Sequence, residues 1–367
     1  MKIILTSFFN SNNLGDLLLS NKLFIDLKSH GHLVERCSIE KSFKINGYLK
    51  IYRYSSLKYL VFLPYRIMKS ILFFFRFAYK LYCSDLLIIG GGNVMMDYSL
   101  RSLSYKKISY YINIAKFMRK KVYAISIGIG PFKISNQLIK ARETLSKVDY
   151  VTFRDEFSRN LYNPNKIYNN DDLSIDPILI IDEKENLERV KPKEKIALGI
   201  INPKLFNSTL EDYNKIINGY LTLISKLVDT EKSVVLFSTE ELDYKTILEV
   251  YDKLNKQILN KVQIMFIRNV LDLENFYKSD IHLIISSRMH SLILAYRQKI
   301  PMIGLSWHPK IEQLFKILEI EDSFFDILTF NISISKMINR INSPNQLNYK
   351  KLNMKFKKMY EKNFKFL

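Results

Sequence analysis

The stretch His282-Leu283-Ile284-Ile285-Ser286-Ser287-Arg288-Met289-His290-Ser291-Leu292-Ile293-Leu294-Ala295 changes periodicity halfway along. Its first four residues form a short apolar run of strand character, and Leu292, Leu294, Ala295 and Tyr296 resume with helical spacing. A strand that hands over to a helix within so few residues is half of a parallel α/β unit, since parallel strands are joined by helical crossovers. Arg288 and His290 then stand at a helix N-terminus. Unpaired backbone N–H groups and the positive end of the helix dipole favour an anion there, and a guanidinium grips two oxygens at once. A phosphate or carboxylate suits such a place. The competing reading pairs Arg288 with a carboxylate of the protein and makes His290 a helix cap, and the residues alone leave both open.

The same rhythm runs through the chain. Strand-like runs at Ile3–Ser7, Val34–Ser38, Leu86–Ile89, Val122–Ile127 and Tyr150–Phe153 alternate with helix-like stretches. A charged connector with a proline, Asp182–Lys195, interrupts them. Runs at Ile196–Ile200, Val234–Ser238, Val262–Phe266, His282–Ile285 and Met302–Leu305 then repeat the pattern. The expected fold class is α/β, with two doubly wound Rossmann-like domains facing a cleft. The domains span 1–182, with a basic aromatic insertion at 41–84, and 195–330, followed by a basic helical tail at 331–367.

With 367 residues, 47% of them hydrophobic, the chain is long enough for two cores. Its two cysteines, Cys37 and Cys83, are far apart and in no ligand-like spacing, so neither a disulfide framework nor a metal site is expected. A reducing, cytoplasmic setting follows from that cysteine usage, and the opening Lys2–Phe9 run, too short for a signal-peptide core, reads as a first strand.

The net charge of +20 is unevenly placed. Between Lys41 and Ser84 there are nine lysines and arginines and no acidic residue, and between Lys350 and Leu367 seven lysines face only Glu361. The first segment is also crowded with tyrosine and phenylalanine, a mixture suited to a lipid headgroup boundary. Charges break every apolar run before the ~18 residues a transmembrane helix needs. The tail Met354-Lys355-Phe356-Lys357-Lys358-Met359-Tyr360 reads as a helix with an apolar stripe and a lysine face. Both segments read equally as solvated basic faces of core helices. No nucleic-acid motif accompanies the charge, so nucleic acid is not an expected partner.

Three glycine-bearing segments follow strands of the first half: Asn13-Leu14-Gly15-Asp16, Gly90-Gly91-Gly92-Asn93 and Gly128-Ile129-Gly130-Pro131. Loops at the carboxyl ends of parallel strands are where such sheets bind ligands, and glycine lets backbone N–H groups approach closely. Neither a G-x-G-x-x-G nor a P-loop pattern is present. Arg154, in Arg154-Asp155-Glu156-Phe157-Ser158, ends a further strand, with Asp155 a candidate N-cap; the arginine faces either the cleft or the solvent. In the second half Trp307-His308-Pro309-Lys310 places another cation, Lys310, after a strand.

In chain order, Asn13–Asp16, Gly90–Gly92, Ser126-Ile127-Gly128-Ile129-Gly130-Pro131, Arg154–Ser158, Ser287-Arg288-Met289-His290-Ser291-Leu292 and Pro301 through Lys310 resemble the polysaccharide pyruvyl transferase family over residues 10 to 315. The resemblance implies a two-domain fold similar to the GT-B glycosyltransferases. It also implies transfer of pyruvate from phosphoenolpyruvate, the donor substrate, to a sugar hydroxyl of a cell-surface polysaccharide or its lipid-linked precursor, usually as a ketal. It implies no cofactor and no metal. The partners expected are that donor, a sugar or lipid-linked oligosaccharide acceptor, and the anionic inner face of the cell membrane.

The donor carries two anionic groups and must gain a proton at C3. Arg288, Arg154 and Lys310 meet the first need and His290 the second. His290 and Arg288 are therefore the catalytic candidates. Arg154, Lys310, Asn13, Gly15, Asp16, Gly91, Gly92, Asn93, Gly128 and Ser287 are the substrate-binding ones. The acidic residue that commonly closes the first half of the family is Asp172 or Asp176. Two other classes fit the same architecture: a nucleotide-sugar glycosyltransferase and a non-catalytic membrane-associated component of polysaccharide assembly.

Overall fold

The computed structural model describes residues 1–11, 13–39, 68, 71–97, 99–100, 102–182, 195–206, 209–230 and 232–367. Most of the basic stretch 41–84, and 183–194 of the connector, lie outside the described residues. The chain divides into two compact units. The first holds Met1–Asn12, Asp16–Pro177 and Met359–Leu367; the second holds Asn13–Gly15 and Ile178–Lys358.

The first unit is built on β1 (Lys2–Ser7), β2 (Leu33–Ser38), β3 (Leu86–Asp97), β4 (Lys121–Phe132), β5 (Tyr150–Phe153) and β6 (Asp171–Leu173). They form one parallel sheet in the order β2-β1-β3-β4-β5-β6. Its central strands β1, β3 and β4 are covered on both faces, so they run apolar rather than alternating. Ile3, Ile4, Leu5, Leu87, Ile88 and Ile89 have no exposed surface. Leu19, Leu23 and Leu27 of the helix Leu14–Ser29 are buried at four-residue intervals, one stripe of the helix. Tyr111, Ile112 and Ala115 of the helix Ser104–Phe117 join Ile4, Leu87 and Ile89 in a separate core. The strand order reverses between β1 and β3, the switch point beyond which such sheets open a crevice.

The second unit repeats the plan with β7 (Lys195–Gly199), β8 (Ser233–Ser238), β9 (Val262–Phe266), β10 (Ile281–Ser286), β11 (Met302–Ser306) and β12 (Phe324–Asp326). All are parallel, in the order β12-β11-β10-β7-β8-β9. Its reversal falls between β7 and β10, where Ser286 stands level with Gly199. The strand that opens the Arg288 segment is thus at the switch point of its own sheet.

Three features differ from the sequence reading. First, β6 and β12 were not expected: each is a three-residue edge strand, one of them Asp-Asp-Leu, too short and too polar to show a strand pattern. Second, the glycines of the first half are not in loops. β3 and β4 remain paired past their apolar runs, with Gly92 level with Ile127 and Asn93 level with Gly128. Glycine serves the strand there, because Gly91 and Gly92 take positive φ values, +66° and +75°, that side chains resist.

Third, the apolar stripe of the C-terminal helix Tyr349–Tyr360 is already used inside the protein. Leu352, Phe356 and Tyr360 are buried, and the Phe356 ring lies edge-on to Tyr296. Its lysines Lys351 and Lys355 reach Glu319. The last residues belong to the first unit and are built into its polar interior. The Tyr360 hydroxyl donates to Asp26 at 2.6 Å, and Phe364 stacks on His30 with ring centres 4.1 Å apart. Lys362 pairs with Asp172.

Candidate functional site

In the second unit, β10 delivers Ser286, Ser287 and Arg288 to the start of the helix Met289–Arg297. Arg288 takes the N-cap position with an extended backbone, and its side chain does not cap. It turns instead to Asp243, donating from Nε at 2.8 Å and placing Nη2 2.7 Å from the same carboxylate oxygen. Asp243 is only 1% exposed, and its other oxygen accepts from the Asn202 N–H at 2.8 Å. Burial pushes its carboxyl above the usual carboxylate range, against the opposing pull of the Arg288 charge and the Asn202 N–H. The guanidinium is engaged along one edge and keeps about a quarter of its side chain in solvent, at 26% exposure. Arg288 is thus ion-paired and still partly exposed.

The loop beneath Arg288 is fixed from inside. Ser287 is buried, its carbonyl accepting from Trp307 Nε1 at 2.9 Å. Burial drives Tyr220 up to about 12, so it stays a neutral phenol at ordinary pH. Ser287 thus shapes the loop toward the core. His290 follows in the first turn of the helix, half-buried. Asn13 and Gly15 belong to this unit: Asn13 donates to Glu240 at 3.0 Å, and a Cβ at Gly15 would lie 2.0 Å from His290 Nδ1. Only glycine leaves room for that imidazole. On the neighbouring strand end, His308 caps the helix Pro309–Ile317 by accepting from the Lys310 N–H, and Pro309 takes the first helical position. Lys310 is half-buried in the same turn.

In the first unit, Asp155 caps the helix Glu156–Tyr162 as expected, its carboxylate accepting from the Ser158 N–H at 2.7 Å. Arg154 faces neither solvent nor an open edge. It is 6% exposed and donates to Asp176 at 3.0 Å. Of the two acidic residues left open by the sequence, Asp176 is the one on Arg154, while Asp172 accepts from Lys362. The charge of Arg154 is neutralised in the interior by Asp176. Gly128 lies directly against it: a Cβ there would stand 2.9 Å from Asn93 Oδ1 and 3.0 Å from Arg154 Nε. Asn93 is anchored by its own bond to the Gly130 carbonyl, 2.7 Å. Gly91 faces Leu19, and Gly92 faces Asp16 and Phe8. Gly128→Ala should therefore lower the unfolding free energy by about 1–3 kcal/mol, the usual cost of overpacking, read as a lower urea midpoint.

Two residues that hold the site escaped the sequence reading. Asp243 lies in the first turn of an amphipathic helix, Glu241–Asp252, where an acidic residue is the ordinary choice. Asn363 donates to Ser126 Oγ at 2.8 Å and shares a hydrogen bond with Thr152, filling the interior beneath β4 and β5. Ser126, two residues before Gly128, is held there at φ +47°, a strained value for a serine. Among the described residues no group of three or more His, Cys, Asp or Glu side chains is placed to hold a metal ion.

The fold is that of the GT-B enzymes. A UDP-GlcNAc 2-epimerase from Methanocaldococcus jannaschii is similar over 97% of this chain and 99% of its own, with a TM-score of 0.58 at 14% identity. A putative UDP-N-acetylglucosamine 2-epimerase from Listeria monocytogenes gives 0.58 at 9% identity, covering 98% of this chain and 91% of that one. The ADP-heptose lps heptosyltransferase II of E. coli gives 0.50 at 11% identity, covering 93% and 98%. No curated protein matches the sequence. The polysaccharide pyruvyl transferase family model matches residues 13–309, most of the chain and every segment described above from Asn13 to His308. The protein belongs to that enzyme family.

Proposed function

We propose that the protein transfers pyruvate from phosphoenolpyruvate to sugar hydroxyls of a cell-surface polysaccharide or its lipid-linked precursor. The observation that carries this reading is the Arg288 guanidinium, fixed at the switch point by a buried carboxylate yet still a quarter exposed, with His290 two residues on. Arg288 and Lys310, on adjacent strand ends, are the cations that hold the donor's anionic groups. Arg154, closed into its pair with Asp176, is not assigned that task.

His290 delivers a proton to C3 of the enol ester. C2 then becomes electrophilic and accepts the first sugar hydroxyl, whose proton returns to the imidazole. Phosphate leaves with the bonding electrons of the C2–O bond, and a second hydroxyl adds at C2 to close the ketal, its proton passing to the departing phosphate. An imidazole suits both directions of transfer because one ring nitrogen can donate a proton and the other accept one.

A ligand that binds only the folded state raises the unfolding midpoint. Phosphoenolpyruvate at millimolar concentration should do so, and Arg288→Lys should shrink that shift, since an ammonium keeps the charge but not the planar grip. Protection by a nucleotide-sugar and none by phosphoenolpyruvate would replace this reading with that of a glycosyltransferase.

A further inference from the structure

The helix that ends the basic stretch has two apolar faces. Its described part, 71–82, turns Phe77 and Leu81 into the first unit, where Phe77 meets Tyr111 edge-on at 5.1 Å and Phe73 packs on Tyr110 and Tyr111. Leu72, Phe75, Tyr79 and Tyr82 follow at intervals of three, four and three, which puts them on one stripe away from that face. All four are exposed, Phe75 by 64%, Tyr79 by 71% and Tyr82 by 74%. A soluble surface rarely sets so many large apolar groups side by side without a partner.

The same edge carries more. Lys120 Nζ donates to the Tyr82 and Ser84 carbonyls, bringing the end of this helix against the end of the helix Ser104–Phe117. There Phe117 is 85% exposed. Around it, Arg76, Arg119 and Lys121 are exposed with no carboxylate partner among the described residues, because the nearby carboxylates are engaged elsewhere: Glu35 by Lys80, Asp149 by Lys116 and Asp85 by the Lys2 N–H. This is the amino end of β3 and β4, the opposite edge of the sheet from Gly128 and Arg154.

We infer that this edge docks on an anionic lipid surface, with the stripe Leu72, Phe75, Tyr79 and Tyr82 entering the headgroup boundary and Arg76, Arg119 and Lys121 meeting lipid phosphates. An aromatic stripe rimmed by unpaired cations matches that boundary in both polarity and charge. A second copy would bring the same cations face to face. The preceding segment 41–67 has six basic residues and no acidic one, so its charge has the same sign. Among the described residues no helix is long and apolar enough to cross a membrane, which leaves attachment along the surface.

Co-sedimentation of the full chain with vesicles of phosphatidylcholine alone, or with added phosphatidylglycerol, tests the inference. Binding is expected with the anionic vesicles and should weaken at high salt. Arg119→Gln with Lys121→Gln should lower the partition about thirtyfold, since each basic residue near such a surface adds about fivefold. Leu72→Ser, Phe75→Ser and Tyr79→Ser together should abolish it while leaving the unfolding midpoint and solution activity in place, all three being surface positions. Failure to bind anionic vesicles, undiminished binding by the triple serine variant, or a dimer in light scattering that the triple variant dissolves would each overturn the assignment.

Discussion

His290→Ala should cut turnover by about 10²- to 10⁴-fold, the range general acid–base catalysis ordinarily supplies, while phosphoenolpyruvate affinity stays nearly unchanged. The separation follows from the geometry. On the proposed reading the anion-holding group is Arg288, which is fixed by Asp243 and by the Ser286 hydroxyl rather than placed by the ring two residues on. Removing the ring therefore takes away the proton carrier and leaves the cationic grip. His290→Gln gives the control. Glutamine fills much of the space beside Gly15 and keeps hydrogen-bonding atoms, but it does not titrate. If the ring serves only to pack against that glycine, glutamine restores turnover. If it moves a proton, glutamine is as inactive as alanine. Near-normal turnover in the alanine variant would remove His290 from the mechanism.

The architecture was legible where one physical signal dominated. Strands buried on both faces must be apolar, so β1, β5, β10 and β11 stand out within a residue of their true ends. The strand-to-helix transition at Ser286–Ser291 carried enough local information to place Arg288 at a helix start, and Asp155 as an N-cap. What escaped depends on contacts distant in sequence. The pairing of Arg288 depends on Asp243, 45 residues earlier, and the enclosure of Arg154 on Asp176, 22 residues later. The glycine segments misled because glycine answers several demands alike. At Gly128 it makes room for Arg154 and Asn93, and at Gly91 it admits Leu19 and a left-handed backbone. The C-terminal lysines advertised a surface helix, whereas its apolar stripe and Asn363 are built into the interior.

Arg288→Ala should destabilise the fold by on the order of 3 kcal/mol, the lower end of what removing one partner of a buried ion pair costs, and should abolish donor binding. The cost arises at Asp243, which has almost no solvent contact and would keep only the Asn202 N–H. Its pH dependence identifies the source. Burial already holds the folded Asp243 carboxyl above its unfolded value, so the folded state keeps this proton longer than the unfolded state does. A raised group gives stability that is complete below the unfolded value and is lost as pH rises through the folded one. Without the Arg288 charge, which pulls that value down, the folded carboxyl rises further. The variant should then lose more stability than the parent protein between acid and neutral pH, and the deficit should narrow toward acid. Urea unfolding at a series of pH values reads this directly. A deficit independent of pH would mean that the guanidinium stabilises by packing alone. The double variant Asp243→Leu with Arg288→Met separates the two roles, because replacing a buried pair by apolar groups of similar size often restores stability. It should recover the urea midpoint and still fail to be protected by phosphoenolpyruvate. Recovery of both would show that Arg288 holds the fold and not the donor.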